Sequence, residues 1–514
     1  MLFTGFHMPN KKSKTKKLVV LALFLTLSAC FATGCTSTDT GEIRDASGIS
    51  TGRIGVMTGS IGEIYAEEKY PDATMQMYDS LMDSVLALSA GQVDYVITAY
   101  TNALTYKKSN GDLTYLPERL TDEETAIAIG KDNTRLLESI NAVLTQFKED
   151  GTLDDIITRW VKEDDSPYEQ VDIPAVKGGE ELKVAISTGR EPMVFVQDNN
   201  YVGLDCELIE RIAYELGMSV TYSDMSFSAL IPALTSGRAD CVISNMTATE
   251  ERAKQVNFSH AYFSNPQVVM IRNPDYVSSK PWYESIKDSF IGNFITENRW
   301  ILLAQGLLTT VIVSVLSATL GTVLGFGVCM LHMNKNSALS GIARVYIEII
   351  RGIPVLVLLM LLFYVVLAGI NIDPVLVAVI TFSLNFSAYV SELMRTSIGS
   401  VDKGQVEAAT ATGFAKWQRF TLIVFPQAAR IALPVFRGEL ISMVKMTSVV
   451  GYIAIMDLTK ASDIIRARTF DAAFPLIVTA ILYFIISTLL VSSLSRLEKN
   501  IDPKKRKREV KLDA

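Results

Sequence analysis

Residues 407–426 read EAATATGFAKWQRFTLIVFP, and this stretch lies between long apolar segments of the chain. Alanine favours a helix, whereas glycine readily adopts the backbone angles that end one. We therefore expect a short alanine-rich helix that carries one acid, Glu407, and breaks at Gly413. Such a compact, rigid element is suited to a groove on a partner protein and can transmit force. An ordinary amphipathic linker helix is the alternative interpretation.

The composition predicts two parts with different surroundings. The chain has 514 residues, of which 49% are hydrophobic, and its mean hydropathy is +0.26. It is therefore too long for one ordinary domain and too apolar for a purely soluble protein. The formal net charge is -7, but the acids are concentrated in residues 40–290 while both chain ends are basic. Basic ends fit membrane topology better than nucleic-acid binding, so no nucleic-acid partner is expected.

Residues 1–35 have the pattern of a secretory signal: a lysine-rich start, an apolar run at 18–27 and small residues before Cys30. The apolar run is too short for a comfortable membrane span. The residues before Cys30 also resemble a bacterial lipoprotein box, whose cysteine becomes lipidated, and Cys35 is a second candidate. An uncleaved anchor is the alternative, because a chain with later spans needs no lipid to stay on the membrane. Residues 36–49 are rich in Thr, Ser, Asp and Gly, which predicts a flexible linker.

Residues 50–272 alternate short β-rich runs with helical patterns. Residues 182–186 and 239–243 have the composition of strands, whereas 136–147 and 205–216 have the periodicity of helices. This alternation predicts an α/β domain.

Cys206 and Cys241 are the cysteines able to form a disulfide in this region. Of the other three, two lie in the signal segment and Cys329 lies in an apolar segment. A disulfide is possible in an exported domain, but two small buried thiols are the simpler interpretation.

The α/β region resembles the family 3 solute-binding proteins of polar amino-acid importers, which have a two-lobed periplasmic-binding-protein fold of type II. The pieces that carry the resemblance are residues 54–60, 149–160, 203–208, 227–240 and 247–262. The last of these contains the family's Thr-x-Thr-x-Glu-Arg motif, which comes first in the family but last here. We interpret this order as a circular permutation, with lobe two at residues 50–110 and lobe one at residues 111–272. Two truncated tandem domains are the alternative, although the pieces add up to about one such domain.

The resemblance implies a ligand site between the two lobes. Arg252 lies where the family holds the ligand's carboxylate, and a guanidinium supplies a planar pair of donors for that group. The other positions that match ligand contacts of the family are the polar Thr58, Ser60, Asn245 and Thr247 and the aromatic Phe227. For the serine and threonine residues, a role in a turn or a helix cap is an equally open alternative.

Three departures from the family pattern alter the expected ligand. Ala99 replaces the acid that holds the ligand's ammonium group, Arg190 replaces an aromatic residue, and Ser187 replaces an acid found in some members. A pocket that gains a cation and loses acids favours an anion or a carboxylate-rich solute over a zwitterionic amino acid. The side chains that could replace the missing acid are Tyr100, Glu63 and Glu191.

Apolar segments after residue 298 predict an all-α transmembrane part, which follows a linker at 273–298. The five predicted spans are residues 300–331, 355–372, 374–391, 430–456 and 472–495. If the N-terminal domain is exported, the segment at 407–426 and the basic tail at 501–514 fall in the cytoplasm, as the positive-inside rule expects. The loop with Lys460, Arg466 and Arg468 would lie outside and disagrees with that rule.

Residues 299–500 resemble the polar amino-acid permeases of ABC importers. The motifs that carry this resemblance are residues 306–310, 346–354, 383–392, 403–405 and 445–448. The opening stretch resembles the loop by which such a permease docks on its ATPase, and its end, Ile423 to Pro426, keeps the family's Ile-x-Leu-Pro spacing with Phe for Leu. The resemblance implies an ATPase-coupling role for Glu407, Ala408, Ala409, Gly413 and Pro426.

Charged residues within a predicted span are costly unless they face a cavity or a partner. Arg437, Glu439 and Lys445 interrupt the fourth span. They are candidates for lining the transport pathway, and a helix-packing ion pair is the alternative.

The sequence offers no residues for an enzyme. It contains no Gly-x-x-x-x-Gly-Lys-Ser/Thr phosphate loop, so we expect no cofactor in this chain and ATP on a partner subunit. The three histidines, His7, His260 and His332, are scattered and predict no metal site. No paired nucleophile and base stand out.

The two resemblances together imply an ABC importer subunit of the bacterial inner membrane, with an extracytoplasmic solute-binding domain fused to its permease. The expected solute is a polar amino acid or a related small carboxylate. The expected partners are a separate ATPase, a second permease unit that is the same chain or a related permease, and membrane lipid. Fusion would keep the binding domain at a high effective concentration beside its permease. The alternative is a ligand sensor or a ligand-gated membrane protein that uses the same binding domain.

Overall fold

The computed structural model describes residues 45–164, 166–174, 176, 178–276, 282–370, 372–471 and 473–501. The expected signal segment, both candidate lipidation sites, Cys30 and Cys35, and the basic tail from residue 502 lie outside the described residues. All contacts below lie within one compact unit that begins at Ala46.

Short strands are distributed through the described structure from residue 53 to residue 272. In chain order they are β1 (Arg53–Met57), β2 (Thr74–Tyr78), β3 (Tyr95–Ala99), β4 (Leu113–Tyr115), β5 (Glu124–Thr125), β6 (Ala128–Gly130), β7 (Glu180–Ile186), β8 (Phe195–Gln197), β9 (Asn200–Val202), β10 (Met218–Asp224), β11 (Cys241–Val242), β12 (Val256–Phe258), β13 (Phe263–Ser264) and β14 (Gln267–Arg272).

Helices lie between these strands, which confirms the predicted α/β class. They are α1 (Ile61–Lys69), α2 (Leu81–Ser89), α3 (Tyr100–Ser109), α4 (Thr134–Glu149), α5 (Thr152–Trp160), α6 (Leu204–Glu215), α7 (Leu230–Thr235) and α8 (Glu250–Ala253). Side-chain caps set several of their starts: the Ser60 hydroxyl accepts a hydrogen bond from the Glu63 N–H, and the Ser80 hydroxyl accepts one from the Asp83 N–H.

Two five-stranded sheets form two lobes. The sheet of lobe two has the order β2-β1-β3-β14-β4, and the sheet of lobe one has the order β10-β7-β11-β6-β12. In lobe two, Ile54 pairs in parallel with Tyr95, and in lobe one Val184 pairs in parallel with Cys241. The carboxyl ends of β1 and β3 in lobe two, and of β7 and β11 in lobe one, lead into the segments that meet between the lobes.

The chain crosses between the lobes twice. Strand β5 leads from lobe two to lobe one, β13 leads back, and the two pair antiparallel through Thr125 and Phe263. Strands β4 and β14 therefore belong to the sheet of lobe two, although the expected division at residue 110 assigned them to lobe one. A single boundary in the sequence cannot represent a chain that crosses to one lobe and comes back, because strand pairing joins segments that are distant in sequence.

One hydrophobic core continues from lobe to lobe. Met57 and Leu81 of lobe two belong to the same buried cluster as Met225 and Phe227 of lobe one. A second core fills lobe one around the amphipathic α4, whose buried residues are Leu136, Ile140, Val143, Leu144 and Phe147. The lobes are therefore packed together rather than separated by an open cleft.

The cysteines of the described part are unpaired. Cys206, Cys241 and Cys329 are buried free thiols. The disulfide alternative for Cys206 and Cys241 is therefore wrong, and the prediction of two buried thiols is confirmed.

Helices make up the structure from residue 282 onward. They are α9 (Trp282–Phe290), α10 (Trp300–His332), α11 (Ser337–Gly352), α12 (Val355–Leu361), α13 (Pro374–Gly399), α14 (Lys403–Ala411), α15 (Lys416–Gln418), α16 (Phe425–Met446), α17 (Leu458–Thr469) and α18 (Ala473–Ile501). Single π-helical stretches extend three of them, at Ile291–Ile295, Leu362–Val366 and Arg419–Val424. Residues 273–298, expected to be a linker, are thus largely helical after residue 281.

The described residues contain four helices that are long and apolar enough to cross a membrane, or up to five if a bent pair counts as one span. The four occupy Trp300–His332, Pro374–Gly399, Lys416–Ile453 and Ala473–Leu494. The predicted span at 355–372 contains only the short helical stretch Val355–Val366, which bends by 105° from Ser337–Gly352 at Pro354. A proline at this point lacks the N–H that a continuous helix needs, so the apolar segment turns instead of continuing.

Glycines bring α10 and α13 close together. A Cβ atom built at Gly321 would lie 2.9 Å from the Ser383 carbonyl oxygen, and one at Gly325 would lie 2.8 Å from the Ser387 carbonyl oxygen. Only a residue without a side chain allows this approach, which is the usual way for membrane helices to gain packing contacts.

Candidate functional site

A small cavity lies between the two lobes. Its volume is about 30 Å³, and its lining residues are Met57, Ser60, Ile61, Leu81, Ile97, Thr98, Ala99, Asn102, Arg190, Phe227, Asn245, Thr247, Arg252, Asn265 and Gln267. Six predicted ligand residues are among them: Ser60, Arg190, Phe227, Asn245, Thr247 and Arg252. The predicted Thr58 and Ser187 do not line this cavity in the described part of the chain.

Arg252 reaches from lobe one to lobe two. It lies on the short helix α8, which Thr249 caps by accepting a hydrogen bond from the Arg252 N–H. Its Nη1 donates to the Thr247 carbonyl oxygen at 2.8 Å, and its Nη2 donates to the Gly59 carbonyl oxygen across the cleft at 2.7 Å. Burial lowers the pKa of this guanidinium from its usual value. The cation is therefore held by neutral acceptors in a poorly hydrated place.

Arg190 contacts the same aromatic ring, that of Phe227, as Arg252 does. Its guanidinium carbon is 4.0 Å from the centre of the Phe227 ring, and that of Arg252 is 5.5 Å from it. The Arg190 Nη1 donates to the Ser244 carbonyl oxygen at 2.7 Å, while its buried Nε has no hydrogen-bond partner among the described residues. Burial lowers the pKa of Arg190 to about 10, against the attraction of Asp205.

A polar network holds the backbone beside these cations. The Asn245 N–H donates to Asp205 Oδ2 at 2.6 Å, and the Tyr262 hydroxyl donates to Asp205 Oδ1 at 2.8 Å. The Asn265 side chain donates to Asn245 Oδ1 at 2.9 Å. Because Asn245 has a positive φ of 48°, these contacts fix a backbone conformation that is uncommon outside glycine.

Sequence reasoning missed the roles of Asp205 and Asn265. Asp205 lies within residues 203–208, which carry part of the family resemblance, so the sequence could single out this residue. It could not predict the contacts of Asp205 with Asn245 and Tyr262. Burial raises the pKa of Asp205 to about 7, although both hydrogen bonds favour the charged form.

The three candidate replacements for the missing acid have other contacts. The Glu63 carboxylate accepts a hydrogen bond from the Gly59 N–H at 2.5 Å, and the Tyr100 hydroxyl donates to Glu163 at 3.1 Å. Glu191 pairs with Arg468. None of the three lines the cavity in the described structure, whereas Ala99 does.

Ser60 lines the cavity and also accepts the hydrogen bond that caps α1. The helix-cap alternative is therefore confirmed for this residue, and its hydroxyl oxygen is already used by the Glu63 N–H.

A second, larger cavity lies where the lobes meet the helices of the membrane part. Its volume is about 310 Å³, and it shares Met57, Leu81 and Arg190 with the inter-lobe cavity. Ser187 lines this second cavity, as do Asp83 of lobe two and Lys460 of α17. Arg190 therefore stands in the wall between a cavity inside the binding part and a cavity against the membrane part.

Helix α17 makes ion pairs with both lobes. Lys460 Nζ lies 3.1 Å from Asp224 Oδ2 of lobe one, and Arg466 Nη2 lies 2.6 Å from Asp83 Oδ1 of lobe two. Arg468 pairs with Glu191 of lobe one and, at 2.9 Å, with Glu297 at the start of the membrane part. These are the three cations that disagreed with the positive-inside rule. Their contacts with acidic side chains of the lobes give a physical reason for basic residues at this position.

Arg238 of lobe one contacts the end of the bent helix pair. Its guanidinium donates to the carbonyl oxygens of Phe363 at 3.1 Å, Leu367 at 2.6 Å and Ile370 at 3.2 Å, and lies 4.4 Å from the centre of the Phe363 ring. Carbonyl oxygens at a helix C-terminus carry partial negative charge and attract a cation. Arg238 therefore fixes lobe one on the membrane helices.

Residues 407–426, here called the docking segment, begin within a separate short helix, α14. Asp402 caps α14 by accepting a hydrogen bond from the Gly404 N–H, and the helix ends before Gly413, whose φ is +83°. Glu407 and Ala408 are exposed, whereas Ala409 is buried. The predicted helix and its break at Gly413 are confirmed. Pro426 is half-buried in the first turn of α16, so the second half of the segment continues directly into a long helix.

Arg437, Glu439 and Lys445 all lie on α16. Arg437 and Glu439 are half-buried and Lys445 is exposed. The assignment of these three residues to the transport pathway stays a prediction.

Comparison with known proteins finds relatives of both parts. Residues 182–431 match the family described as bacterial extracellular solute-binding proteins, family 3. The probable amino-acid ABC transporter permease protein YckA of Bacillus subtilis (strain 168) is 37% identical over 196 residues, which cover 38% of this chain and 87% of that protein. The L-cystine transport system permease protein TcyB of the same organism is 34% identical over 212 residues, which cover 41% of this chain and 91% of that protein. A solved structure of an amino acid ABC transporter with histidines shares 30% identity, covers 43% of this chain and 100% of its own, and gives a TM-score of 0.38.

The chain belongs to the family of amino-acid ABC transporter permeases. Since a family 3 solute-binding domain lies in the same polypeptide, the chain combines the binding part and the permease part of an importer, and an ATPase partner is implied.

Proposed function

We propose that this chain imports a polar amino acid or a related small carboxylate, by binding it between the two lobes and passing it to its own permease. The observation that carries this proposal is the contact of both lobes with α17. Lys460 pairs with lobe one and Arg466 pairs with lobe two, so the permease part senses the relative position of the lobes. Lobe closure around a solute is the usual conformational signal in two-lobed binding domains.

The site residues have the following roles in the proposal. Arg252 binds a carboxylate of the solute, and Phe227, Asn245 and Thr247 form the wall around it. The inter-lobe cavity, at about 30 Å³, has room for no more than a few water molecules, so entry of a solute requires the lobes to separate. The solute carboxylate then takes the place that the Gly59 carbonyl oxygen holds on Arg252.

The proposed topology places the lobes outside the cytoplasm and the segment at 407–426 inside it. The exposed Glu407 and Ala408 dock on the ATPase subunit, with Gly413 and Pro426 fixing the shape of the segment. Two permease units are needed to enclose a pathway, so the assembly contains a second copy of this chain or a related permease on two ATPase subunits. ATP is bound by the partner, and this chain carries no cofactor of its own.

The proposal includes a circular permutation of the binding domain. Two features support it: β7 follows α5 within lobe one through residues 161–179, and the chain both enters and leaves the domain in lobe two, at β1 and β14. The range matched by the solute-binding family, residues 182–431, begins close to the start of β7, as a permutation expects, although it extends into the membrane part.

The test is ATP-dependent uptake by the reconstituted complex. The full chain, purified from its native cells with the subunits that bind it, is placed in liposomes with ATP inside the compartment that faces residues 407–426. We expect an ATPase to co-purify and labelled solute to accumulate, and we expect Glu407→Lys to abolish both ATPase binding and uptake. A chain that purifies without any ATPase and still binds solute would contradict the importer proposal and would favour a sensor.

A further inference from the structure

Among the described residues, two cations and no acid line the inter-lobe cavity. Among its lining residues, the charged side chains are Arg190 and Arg252. Neither forms an ion pair within the described part of the chain, and both are nine-tenths buried, with 6% and 8% of their surface exposed. Asp205 attracts Arg190 and Glu123 attracts Arg252, but neither acid lines the cavity. The carboxylate oxygens of Asp205 already accept hydrogen bonds from Asn245 and Tyr262.

Two buried cations on one aromatic ring require compensation. The repulsion between Arg190 and Arg252 contributes to the lowered pKa of Arg190, after the larger effect of burial. The Phe227 ring faces both guanidiniums and offsets part of this cost. A negatively charged group that binds both guanidiniums would offset a further part of this cost.

The two guanidiniums have donors to spare. Each guanidinium has five N–H donors. Arg190 donates to the Ser244 carbonyl oxygen and the Met57 sulfur, and Arg252 donates to two carbonyl oxygens. The buried Nε of Arg190 has no partner in the described structure. A carboxylate is the acceptor that matches this planar arrangement of donors.

We propose that the inter-lobe cavity takes a small solute with two carboxylates and no ammonium group, with one carboxylate on Arg252 and the other on Arg190. This inference rests on the proposed function, because it assumes that the solute binds between the lobes. The methyl group of Ala99 supplies no charge for an ammonium group, so a zwitterionic amino acid would leave its cationic end beside two guanidiniums. A dicarboxylate instead neutralises both cations and contacts Phe227 with its apolar middle.

The position of Arg190 gives the solute an orientation. In the described structure, Arg190 lines both cavities, whereas Arg252 lines the inter-lobe cavity alone. The carboxylate on Arg190 therefore lies toward α17 and leads when the solute leaves for the membrane part.

The test is solute binding by the full chain in detergent or lipid nanodiscs, measured by titration calorimetry and by thermal shift. The probes are succinate, glutarate, glutamate, glutamine and propionate. We expect succinate or glutarate to bind at least about tenfold more tightly than glutamine or glutamate. Arg190→Gln should weaken dicarboxylate binding at least about tenfold and leave propionate binding nearly unchanged, whereas Arg252→Gln should weaken both. The matched control is Arg135→Gln, the same change of charge at an exposed position on α4, and it should alter neither.

Two results would overturn the dicarboxylate inference and leave the importer proposal standing. In the first, glutamine or glutamate binds more tightly than both dicarboxylates in the unmodified chain, a comparison that needs no variant to fold. In the second, Arg190→Gln weakens propionate as much as it weakens the dicarboxylates. If no probe binds, the dicarboxylate inference also fails, whereas the importer proposal is still decided by co-purification of the ATPase.

Discussion

Arg466 Nη2 lies 2.6 Å from Asp83 Oδ1, although 383 positions of sequence separate the two residues. Arg466 belongs to α17 of the membrane part, and Asp83 belongs to α2 of lobe two. The same helix contacts lobe one through the pair of Lys460 and Asp224. Separation of the lobes must therefore break or stretch an ion pair on at least one side of α17. This gives the membrane part a direct mechanical link to the opening of the solute site.

We predict that Arg466→Ala loosens lobe two from α17 and lowers solute-dependent ATPase activity several-fold, because the pair is partly buried and linked to Asp463. The reversed pair, Arg466→Asp with Asp83→Arg, should restore part of this activity. A double-mutant cycle between the two positions should give a coupling energy of about 1 kcal/mol, which is typical of a partly exposed ion pair. Additive single effects, with no recovery in the reversed pair, would show that the contact carries no coupling.

Arg238→Gln is expected to lower uptake about tenfold while leaving the affinity for solute unchanged. The guanidinium donates hydrogen bonds to carbonyl oxygens at the end of the bent helix pair, among them those of Phe363 and Leu367. The loss of one charge-assisted hydrogen bond costs about 1.5–3 kcal/mol. Arg238→Lys should not restore activity, since an ammonium cannot reproduce the planar set of donors. Uptake and calorimetry on the same preparations measure the two quantities, with Arg135→Gln as the control in the same lobe. A parallel loss of solute affinity would mean that Arg238 supports the binding site instead.

Gly413→Ala should destabilise the docking segment by about 1 kcal/mol, because the φ of +83° is unfavourable for a residue with a side chain. The expected result is weaker binding of the ATPase subunit at unchanged solute affinity. Gly399→Ala is the matched control, since a Cβ atom there meets no neighbouring atom and the residue ends the helix α13. Equal ATPase affinity for the two variants would argue against a role for the break at Gly413.

The region around Asn245 should become less stable as the pH rises from about 4 to 7. Burial raises the pKa of Asp205 to about 7, whereas an aspartate in an unfolded chain ionises near pH 4. The native state therefore keeps the proton that the unfolded state loses, and the stabilisation is complete below about pH 4 and declines toward pH 7. Hydrogen exchange of residues 241–247 at pH 5 and 7.5, corrected for intrinsic rates, should reveal faster opening at the higher pH. Asp205→Asn should remove the difference, and the exposed Asp132→Asn should not.

Local features of the structure followed from the sequence. The break at Gly413 could be predicted because a glycine in an alanine-rich stretch acts on its own backbone. The apolar helices 300–332 and 374–399 could be predicted because hydropathy depends on composition alone. The bend at Pro354 was not expected, since the hydropathy of residues 355–372 is that of a span and says nothing about direction.

Contacts between segments that are distant in the sequence could not be predicted from local patterns. The motifs placed Arg252 and Phe227 near the solute site, and the structure brings both to one cavity. Arg468 pairs with Glu191, which lies 277 positions away, and with Glu297, which lies 171 positions away. No local sequence pattern predicts either pair. In the sequence, the basic residues of α17 are an exception to the positive-inside rule. In the structure, acidic side chains of the lobes face them, which accounts for this exception.

The buried thiols of Cys206 and Cys241 make the lobes suitable for site-specific labelling. Burial raises the pKa of both thiols, so little reactive thiolate is present at neutral pH. A cysteine introduced at an exposed position on each lobe would therefore react first with a maleimide dye, once Cys30 and Cys35 are replaced. Energy transfer between two such dyes would report the opening and closing of the lobes in the intact chain, molecule by molecule.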